Sequence, residues 1–409
     1  MSQRSHVDIV DSHDHFRDPE DFPAEERSYP EFWARAALDD LYRGWVAIAH
    51  AMPNTKTPLT THAAIKAYIL SLKDKENFWW VYFCYNGTNI FELQKAFSDP
   101  EVRPYLVGVK IYPALPKEGG GTGSVTTSFS ATQDMYDFSL EPNSPLNQVV
   151  NFCSDNKLSL TIHCEDPEEK QNFSDMFGYG EMDDFSEPIF IIKTVIPLCE
   201  QYPNLKFYVA HVSHADTVAL LKEAWDAWMA NLYAEITPHH FLLTTEEIRQ
   251  KLGEDAIFGF CHPFVKISEK HRDSLQQLFL DGKYRDQIVY ASDHAPHPEW
   301  VKREKKYGGV PNHQWPQMML AWMISQGIKM NDPRVTQFFS WNAERNFNDV
   351  YGWKERFRQR TGSVIFVSDD FQEGWVSIPW RIHDGAVVNP WERLISDQIK
   401  EHWVKVRHN

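Results

Sequence analysis

The stretch Asp11-Ser12-His13-Asp14-His15-Phe16-Arg17-Asp18 decides how the rest of the chain is interpreted. It follows the apolar residues 7–10, which predict a buried β-strand. Side chains alternate between the two faces of a strand, so His13, His15 and Arg17 are expected to point the same way. Two neighbouring imidazoles can form half of a zinc site, and a guanidinium can grip a carboxylate. An isolated His-x-His is also compatible with ordinary polar clustering after a strand, so the remaining motifs must decide between the two interpretations.

The composition is that of a soluble globular protein. The 409 residues include 42% hydrophobic and 24% charged residues, which allows a large core. The formal net charge of −16 argues against a broad nucleic-acid or anionic-membrane surface but leaves an anionic substrate open. Five cysteines without a Cys-x-x-Cys pair predict reduced thiols in a cytoplasmic protein. The polar start and the lack of a long apolar run predict neither a signal peptide nor a membrane span.

Apolar, β-branched runs alternate with helical patterns along the chain, and no internal repeat is present in the sequence. Helical spacing occupies residues 61–72, 90–97, 145–154, 216–230 and 270–280. The strand-like runs are residues 7–10, 45–52, 79–85, 106–111, 158–163, 207–211, 232–236 and 287–291. Strands that alternate with helices favour a parallel sheet, and eight is the number that closes a (β/α)8 barrel. The predicted fold class is therefore α/β, a TIM-like barrel.

Two segments break this rhythm. Residues 113–145 contain the run Gly119-Gly120-Gly121-Thr122-Gly123, which cannot pack a core. A long loop of this kind is either a mobile lid or binding loop, or a plain connector, and the sequence leaves both open. Residues 351–409 are rich in tryptophan and short strand-like runs, so they are expected to form a C-terminal segment that covers a barrel of residues 1–350.

Further chemical groups stand inside or at the end of the predicted strands. Lys110 lies in the apolar run 106–111, where burial would lower its pKa and favour uptake of CO₂ as a carbamate that could bridge two metals. Alternatively, this lysine could extend to the surface. His163, His211 and Asp293 follow three other strands. Six such groups on the catalytic face of a barrel are difficult to attribute to ordinary polar residues.

The number of these groups fits a two-metal hydrolase. Two histidines, the lysine carbamate and one aspartate would serve the first metal. Two further histidines and the same carbamate would serve the second. Paired metals can share a hydroxide and polarise a carbonyl, which is the equipment for amide hydrolysis without a covalent intermediate.

With these motifs in place, the chain resembles a stand-alone dihydroorotase of the amidohydrolase superfamily. The His-x-His motif and the run Ser292-Asp293-His294-Ala295-Pro296-His297 are shared with related cyclic-amide hydrolases. Arg17 together with Met52-Pro53-Asn54 is more particular to dihydroorotases. The matching segments keep the order of the family and are residues 11–18, 51–55, 108–114, 161–165, 209–214, 236–240 and 292–297.

The resemblance implies a role for each matching residue. One zinc ion would be bound by His13, His15, Lys110 and Asp293, and the other by Lys110, His163 and His211, with N6-carboxylysine at Lys110 as the bridge. Asp293 would also be the general acid and base. The substrate-binding residues would be Arg17, Asn54, His297, His163, His262 and Gly309.

Some of these implied roles depart from the family pattern. Arg17, Asn54 and His297 would hold the substrate carboxylate, whereas His262 and Gly309 would contribute backbone contacts. A histidine side chain is unusual at position 262. Lys117-Glu118 precede the glycine run, where the family loop is richer in hydroxyl and amide groups.

The predicted activity is the reversible hydrolysis of dihydroorotate to N-carbamoyl-aspartate in pyrimidine synthesis, by a cytoplasmic homodimer acting on a small molecule. Another cyclic-amide hydrolase, a hydantoinase or an allantoinase, is the first alternative, but the substrates of those enzymes require no carboxylate clamp. The second alternative is a non-catalytic scaffold, which typically loses metal ligands, whereas all six positions are filled here. Neither nucleic acid nor membrane is an expected partner.

Overall fold

Eight parallel strands follow one another in sequence order in a single sheet. The computed structural model describes residues 7–15, 44–48, 59–73, 78–85, 89–113, 144–166, 169, 183–259, 261–295, 309, 315–347, 364–367, 381–383, 386–388, 394–402 and 404–407. The eight strands are β1 Val10–Asp14, β2 Gly44–Ala47, β3 Phe78–Tyr85, β4 Leu106–Ile111, β5 Ser159–Ile162, β6 Phe207–Val209, β7 Leu232–Ile236 and β8 Ile288–Tyr290. A parallel bridge between Asp14 and His294 joins β1 to the segment after β8. The predicted TIM-like barrel is thereby confirmed.

In the described residues, helices connect each pair of successive strands from β2 to β8, as parallel pairing requires. Ser144 and Thr61 cap two of them, each accepting a backbone N–H bond with its hydroxyl oxygen. The α-helices within the described residues are His62–Leu72, Ile90–Ser98, Pro145–Asn156, Ser186–Phe190, Ile196–Gln201, Ala215–Asp226, Pro238–Leu242, Thr245–Leu252, Glu269–Asp281, Trp315–Ser325, Pro333–Thr336, Asn342–Asn346 and Asp397–Glu401. Single π-helical turns at Ile191–Val195 and Gln337–Trp341 and a 3₁₀ turn at Gly253–Gly259 extend three of these helices.

Apart from β1, β2 and β6, the observed strands match the predicted ones to within one residue at each end, whereas residues 49–52 of the predicted second strand lie outside the described residues. β4 and β7 have the predicted bounds. The prediction for β1 was wrong, since the strand spans Val10–Asp14 and contains His13 instead of preceding it. Its backbone pairs with β2 through these polar residues, which the apolar pattern could not indicate. β6 stops at Val209, before the predicted end at residue 211, because His211 has a φ of +40° that leaves the extended region.

The barrel interior is filled with aromatic side chains at the end opposite the polar motifs. Tyr208 stacks on Phe347 with ring centroids 5.5 Å apart, and Tyr82 belongs to the same buried cluster. The Tyr82 hydroxyl lies 2.9 Å from Oγ of Ser159 on β5. Gly108 on β4 makes room for this arrangement, because a Cβ there would lie 2.5 Å from the Tyr82 ring. The interior is therefore a packed core below the strand ends.

The described residues of the C-terminal part form two small antiparallel ladders and one helix. β9 Val364–Val367 pairs with β12 Val404–Arg407, and β10 Arg381–His383 pairs with β11 Ala386–Val388. Nε2 of Gln398 donates to Oγ of Ser325 at 3.0 Å, which attaches the helix Asp397–Glu401 to the helix Trp315–Ser325. The assignment of residues 351–409 to a covering segment remains a prediction. Within the described part of the chain, no helix has the length and apolar character needed to cross a membrane.

Candidate metal centre

His13 and His15 present two ring nitrogens to each other at the carboxyl end of β1. Their Nε2 atoms lie 2.9 Å apart, and their ring centroids are separated by 4.8 Å. The opposite nitrogens are engaged elsewhere, since Nδ1 of His13 lies 2.5 Å from Oε2 of Glu235 and Nδ1 of His15 lies 3.3 Å from the Ile48 carbonyl oxygen. Acceptors at Nδ1 fix the proton there and leave both Nε2 lone pairs facing each other. This arrangement is suited to a shared cation.

Asp293 completes this group from the segment after β8, which pairs with the end of β1 where the barrel closes. Its Oδ1 atom lies 3.4 Å from Nε2 of His13 and 3.5 Å from Nε2 of His15. Burial raises the pKa of Asp293 to about 8, while the nearby Lys110 lowers it and Asp11 raises it. Two imidazole nitrogens and one carboxylate oxygen form a donor set that suits a zinc ion.

His163 and His211 form a second pair of the same kind. Nδ1 of His163 lies 2.9 Å from Nε2 of His211, and the ring centroids are 4.6 Å apart. Nε2 of His163 lies 2.7 Å from Oε2 of Glu165, which assigns the proton to Nε2 and the lone pair to Nδ1. Burial lowers the pKa of His211 well below its ordinary value, and His163 and Lys110 lower it further, so this ring is neutral. The two pairs meet where the rings of His13 and His211 are 5.6 Å apart.

Lys110 is fully buried inside β4, so the alternative in which it extends to the surface is wrong. Its Nζ atom has no hydrogen-bond partner among the described residues. Burial lowers the pKa of the amine, against the opposing effects of Glu235 and Asp293. An orphaned and weakly basic amine next to two pairs of ligand nitrogens fits a carbamate that would satisfy the site. The residues present therefore fit a two-metal centre bridged at position 110.

The remaining predicted substrate residues are described only in part. Arg17, Asn54 and His297 lie outside the described residues, as does most of the glycine-rich loop between residues 113 and 145. His262 is half-buried, with its ring centroid 4.5 Å from that of Phe264. Gly309 is buried with a φ of +153°. The substrate contacts of all five remain predictions.

Two glutamates of the site were missed at the level of sequence. Glu235 interrupts the apolar run Leu232–Ile236, which is the same signal that singled out Lys110 within its own strand. Glu165 stands two residues after His163, so that it lies on the same side of the chain. Both carboxylates lie within hydrogen-bond distance of the ring of a predicted ligand, His13 or His163, and can orient it.

A third group of potential ligands, His239, His240 and Cys261, lies close to the site but has a structural role. Nδ1 of His240 lies 2.7 Å from Oγ1 of Thr237, and its Nε2 lies 2.9 Å from the Pro263 carbonyl oxygen. Because both ring nitrogens already have hydrogen-bond partners, His240 offers no lone pair to a metal. The group joins the segment after β7 to the loop at residue 261.

Comparison with known proteins finds dihydroorotases among the curated relatives of this chain. No family model matches the chain. It is 27% identical over 277 residues to a probable dihydroorotase of Schizosaccharomyces pombe, an alignment that covers 66% of this chain and 68% of that protein. Further curated dihydroorotases match at 26 to 30% identity, and the alignments span 41 to 66% of their lengths.

Solved structures support the fold assignment. A dihydroorotase of Saccharomyces cerevisiae in complex with 5-fluoroorotic acid superimposes with a TM-score of 0.67 at 19% identity, covering 99% of this chain and 98% of that chain. An L-hydantoinase of Arthrobacter aurescens gives a TM-score of 0.62 at 18% identity, covering 84% and 71%. The barrel fold is therefore shared with a dihydroorotase and an L-hydantoinase, and the fold alone does not separate these two activities.

Proposed function

We propose that this dihydroorotase-like member of the amidohydrolase superfamily catalyses the reversible hydrolysis of dihydroorotate to N-carbamoyl-aspartate, a step of pyrimidine synthesis. The observation that supports it best is the convergence of two histidine pairs around the buried amine of Lys110, each with its lone pairs turned inward. The curated relatives named above are dihydroorotases, which supports this substrate over other cyclic amides.

The site would hold two zinc ions. His13, His15 and Asp293 would bind one ion, His163 and His211 the other, and a carbamate on Lys110 would bind both. When bound, the ions would polarise the carbonyl of the scissile amide and lower the pKa of a water molecule toward neutrality. The histidines contribute as neutral ligands because burial lowers the pKa values of His13 and His211.

Proton transfer is assigned to Asp293. Its carboxylate would take the proton of the attacking water and deliver it to the ring nitrogen that leaves. Asp293 is buried, and its backbone N–H donates to the His13 carbonyl oxygen on β1 at 2.9 Å, which holds the residue in place. A fixed acid avoids the entropy loss of recruiting one from solvent.

Substrate orientation is assigned to the positively charged and amide side chains outside the described residues. Arg17, Asn54 and His297 would hold the carboxylate of dihydroorotate, and Arg17 can do so with two parallel hydrogen bonds. This clamp would present the ring with one amide toward the zinc ions. We further propose that the protein acts as a homodimer in the cytoplasm, as the resemblance to dihydroorotases implies.

A direct comparison of substrates tests the proposal. Purified protein loaded with zinc is expected to turn over dihydroorotate and N-carbamoyl-aspartate, with little activity on hydantoin or allantoin. Removal of zinc by a chelator should abolish the activity, and added zinc should restore it. Preference for hydantoin or allantoin would favour the related hydrolases, and an inactive protein without bound metal would favour a scaffold.

A further inference from the structure

The segment that follows β6 holds His211 in a strained conformation. His211 has a φ of +40°, in the left-handed region that residues with a Cβ rarely adopt. Such a conformation persists only where the surroundings hold the backbone on both sides of it. The position of the imidazole at 2.9 Å from His163 depends on this turn, because the turn aims the side chain into the barrel.

Hydrogen bonds to neighbouring strands hold the first half of the segment. The Ala210 N–H donates to the Ile162 carbonyl oxygen on β5 at 3.0 Å. The Val212 N–H donates to the Glu235 carbonyl oxygen on β7 at 3.0 Å. These two bonds continue the parallel ladder on either side of the left-handed residue.

One carboxylate holds the second half of the segment. The Ser213 N–H lies 3.1 and 3.0 Å from the two oxygens of Glu187, and the His214 N–H donates to Oε1 at 3.1 Å. The Ser213 hydroxyl donates to Oε2 at 2.6 Å. Glu187 is fully buried on the helix Ser186–Phe190, which lies outside the barrel. Three donors of the turn thus converge on a single buried side chain.

We propose that Glu187 is a positioning residue for the zinc ligand His211. This inference rests on the two-zinc site of the proposed function. Without its carboxylate, three buried donors after the left-handed turn lose their acceptor, and such groups reorganise to find another. The turn would then relax, and the imidazole would move away from its partner on His163. The zinc site formed by these two histidines would weaken, whereas the site of His13, His15 and Asp293 would not.

Three variants separate positioning from general packing. Glu187→Ala removes all the acceptors. Glu187→Gln keeps Oε1 for the two N–H groups and places an amide against the Ser213 hydroxyl, which can accept, so it serves as the conservative rescue. Glu344→Ala is the matched control, because it removes another buried carboxylate, which accepts a hydrogen bond from the Ser340 hydroxyl in the helical segment that follows β8 in the chain.

Zinc binding is measured without substrate, by equilibrium dialysis against a graded chelator, together with the thermal midpoint of each variant. Wild-type protein and Glu187→Gln are expected to bind two zinc ions alike. Glu187→Ala should retain one ion and bind the second about 10- to 100-fold more weakly, as found for partners of metal ligands. Glu344→Ala should lower the midpoint and leave zinc binding unchanged.

Two ions bound by folded Glu187→Ala with wild-type affinity would overturn the inference, and so would an equal loss at both sites. If Glu187→Ala does not fold, Glu187→Asp replaces it. This variant is expected to bind the second ion more weakly than the wild-type protein, and wild-type affinity for both ions would contradict the inference. A wild-type protein that binds two zinc ions but leaves dihydroorotate unchanged would refute the proposed activity, while the loss of one ion in Glu187→Ala would still support the positioning role. A wild-type protein that binds no zinc would refute both.

Discussion

Oδ1 of Asp293 lies 3.4 Å from Nε2 of His13, across the seam where the barrel closes. The second oxygen, Oδ2, lies 3.9 Å from Nε2 of His239, so the two oxygens of this carboxylate face different partners. One oxygen is directed to the ligand nitrogens and the other away from them. This division suits a side chain that binds a metal and also exchanges a proton.

Replacement of Asp293 by alanine is expected to remove turnover and retain most of the zinc. A positioned acid and base contributes about 10²- to 10⁴-fold to the rate, so kcat should fall by at least that factor. The other predicted ligands stay in place and keep the metals bound. Steady-state kinetics with a zinc determination on the same sample measures both effects. Near-normal turnover in this variant would show that the proton is carried by another group.

Removal of the Lys110 amine is expected to abolish activity in a way that a small carboxylic acid can reverse. Lys110→Ala leaves a buried space where the carbamate would be, and acetate offers two oxygens of the same kind. Activity and zinc content should both recover as acetate is added to Lys110→Ala. Lys283→Ala, at an exposed lysine paired with Asp226, should be unaffected with or without acetate. Absence of recovery together with intact zinc binding would argue against a bridging carbamate.

Loss of the Arg17 guanidinium is expected to act on substrate affinity more than on chemistry. Hydrogen bonds to a charged group contribute about 1.5–3 kcal/mol, so KM for dihydroorotate should rise by about 10- to 100-fold in Arg17→Ala. Any residual activity on hydantoin, which has no carboxylate, should not change. A fall in kcat with an unchanged KM would place Arg17 at the reacting end of the substrate instead.

A methyl group at position 108 is expected to destabilise the barrel. The Cβ of Gly108→Ala would lie 2.4 Å from the Ser159 carbonyl oxygen, and the backbone of β5 cannot yield without disturbing its own pairing. The free energy of unfolding should fall by about 1–3 kcal/mol, measured by urea denaturation. At Gly253 no neighbour lies within 4 Å of an added Cβ, although φ is +58°. The free energy of unfolding of Gly253→Ala should therefore fall by about 1–2 kcal/mol, through backbone strain alone, and zinc binding should be unchanged.

The ionisation of Asp183, which contacts His271 on the helix Glu269–Asp281, should make the stability of the protein depend on pH. Burial raises the pKa of this carboxyl, but the His271 ring at 3.0 Å and the Ile267 N–H at 2.6 Å hold it below its ordinary value. A lowered pKa stabilises the folded state above the unfolded pKa of about 4, and this contribution disappears as the pH falls through the folded value. Asp183→Asn should lose about 1 kcal/mol at pH 7 and progressively less below pH 4. A loss that stays constant from pH 7 to pH 3 would contradict this assignment.

The alternation of strands and helices could be predicted from the sequence, because parallel strands buried on both faces have continuous apolar sequences. β4 and β7 have their predicted bounds, and Lys110 stood out within β4 as a cation in an apolar strand. The backbone of the site was harder to predict. His211 and Asp293 both have positive φ values, and no local pattern indicates a left-handed turn at a histidine or an aspartate.

Supporting groups from distant parts of the chain were also beyond the reach of local patterns. Glu187 is 26 residues away from Ser213, and only the folded barrel brings the helix that carries it against the segment after β6. Glu235 is the exception, because its position within the apolar run of β7 carried the same signal as Lys110. A systematic search for charged residues inside predicted strands would have found it.

The closure of the barrel between its first and last strands has a consequence for biosynthesis. The Ser292 N–H donates to Oδ1 of Asp11 at 2.8 Å, and these two residues are 281 positions apart in the chain. In a nascent polypeptide, His13 and His15 therefore leave the ribosome long before Asp293, which completes their group, has been translated. Truncated products that end before β8 lack Asp293 and are expected to bind zinc more weakly than the full chain.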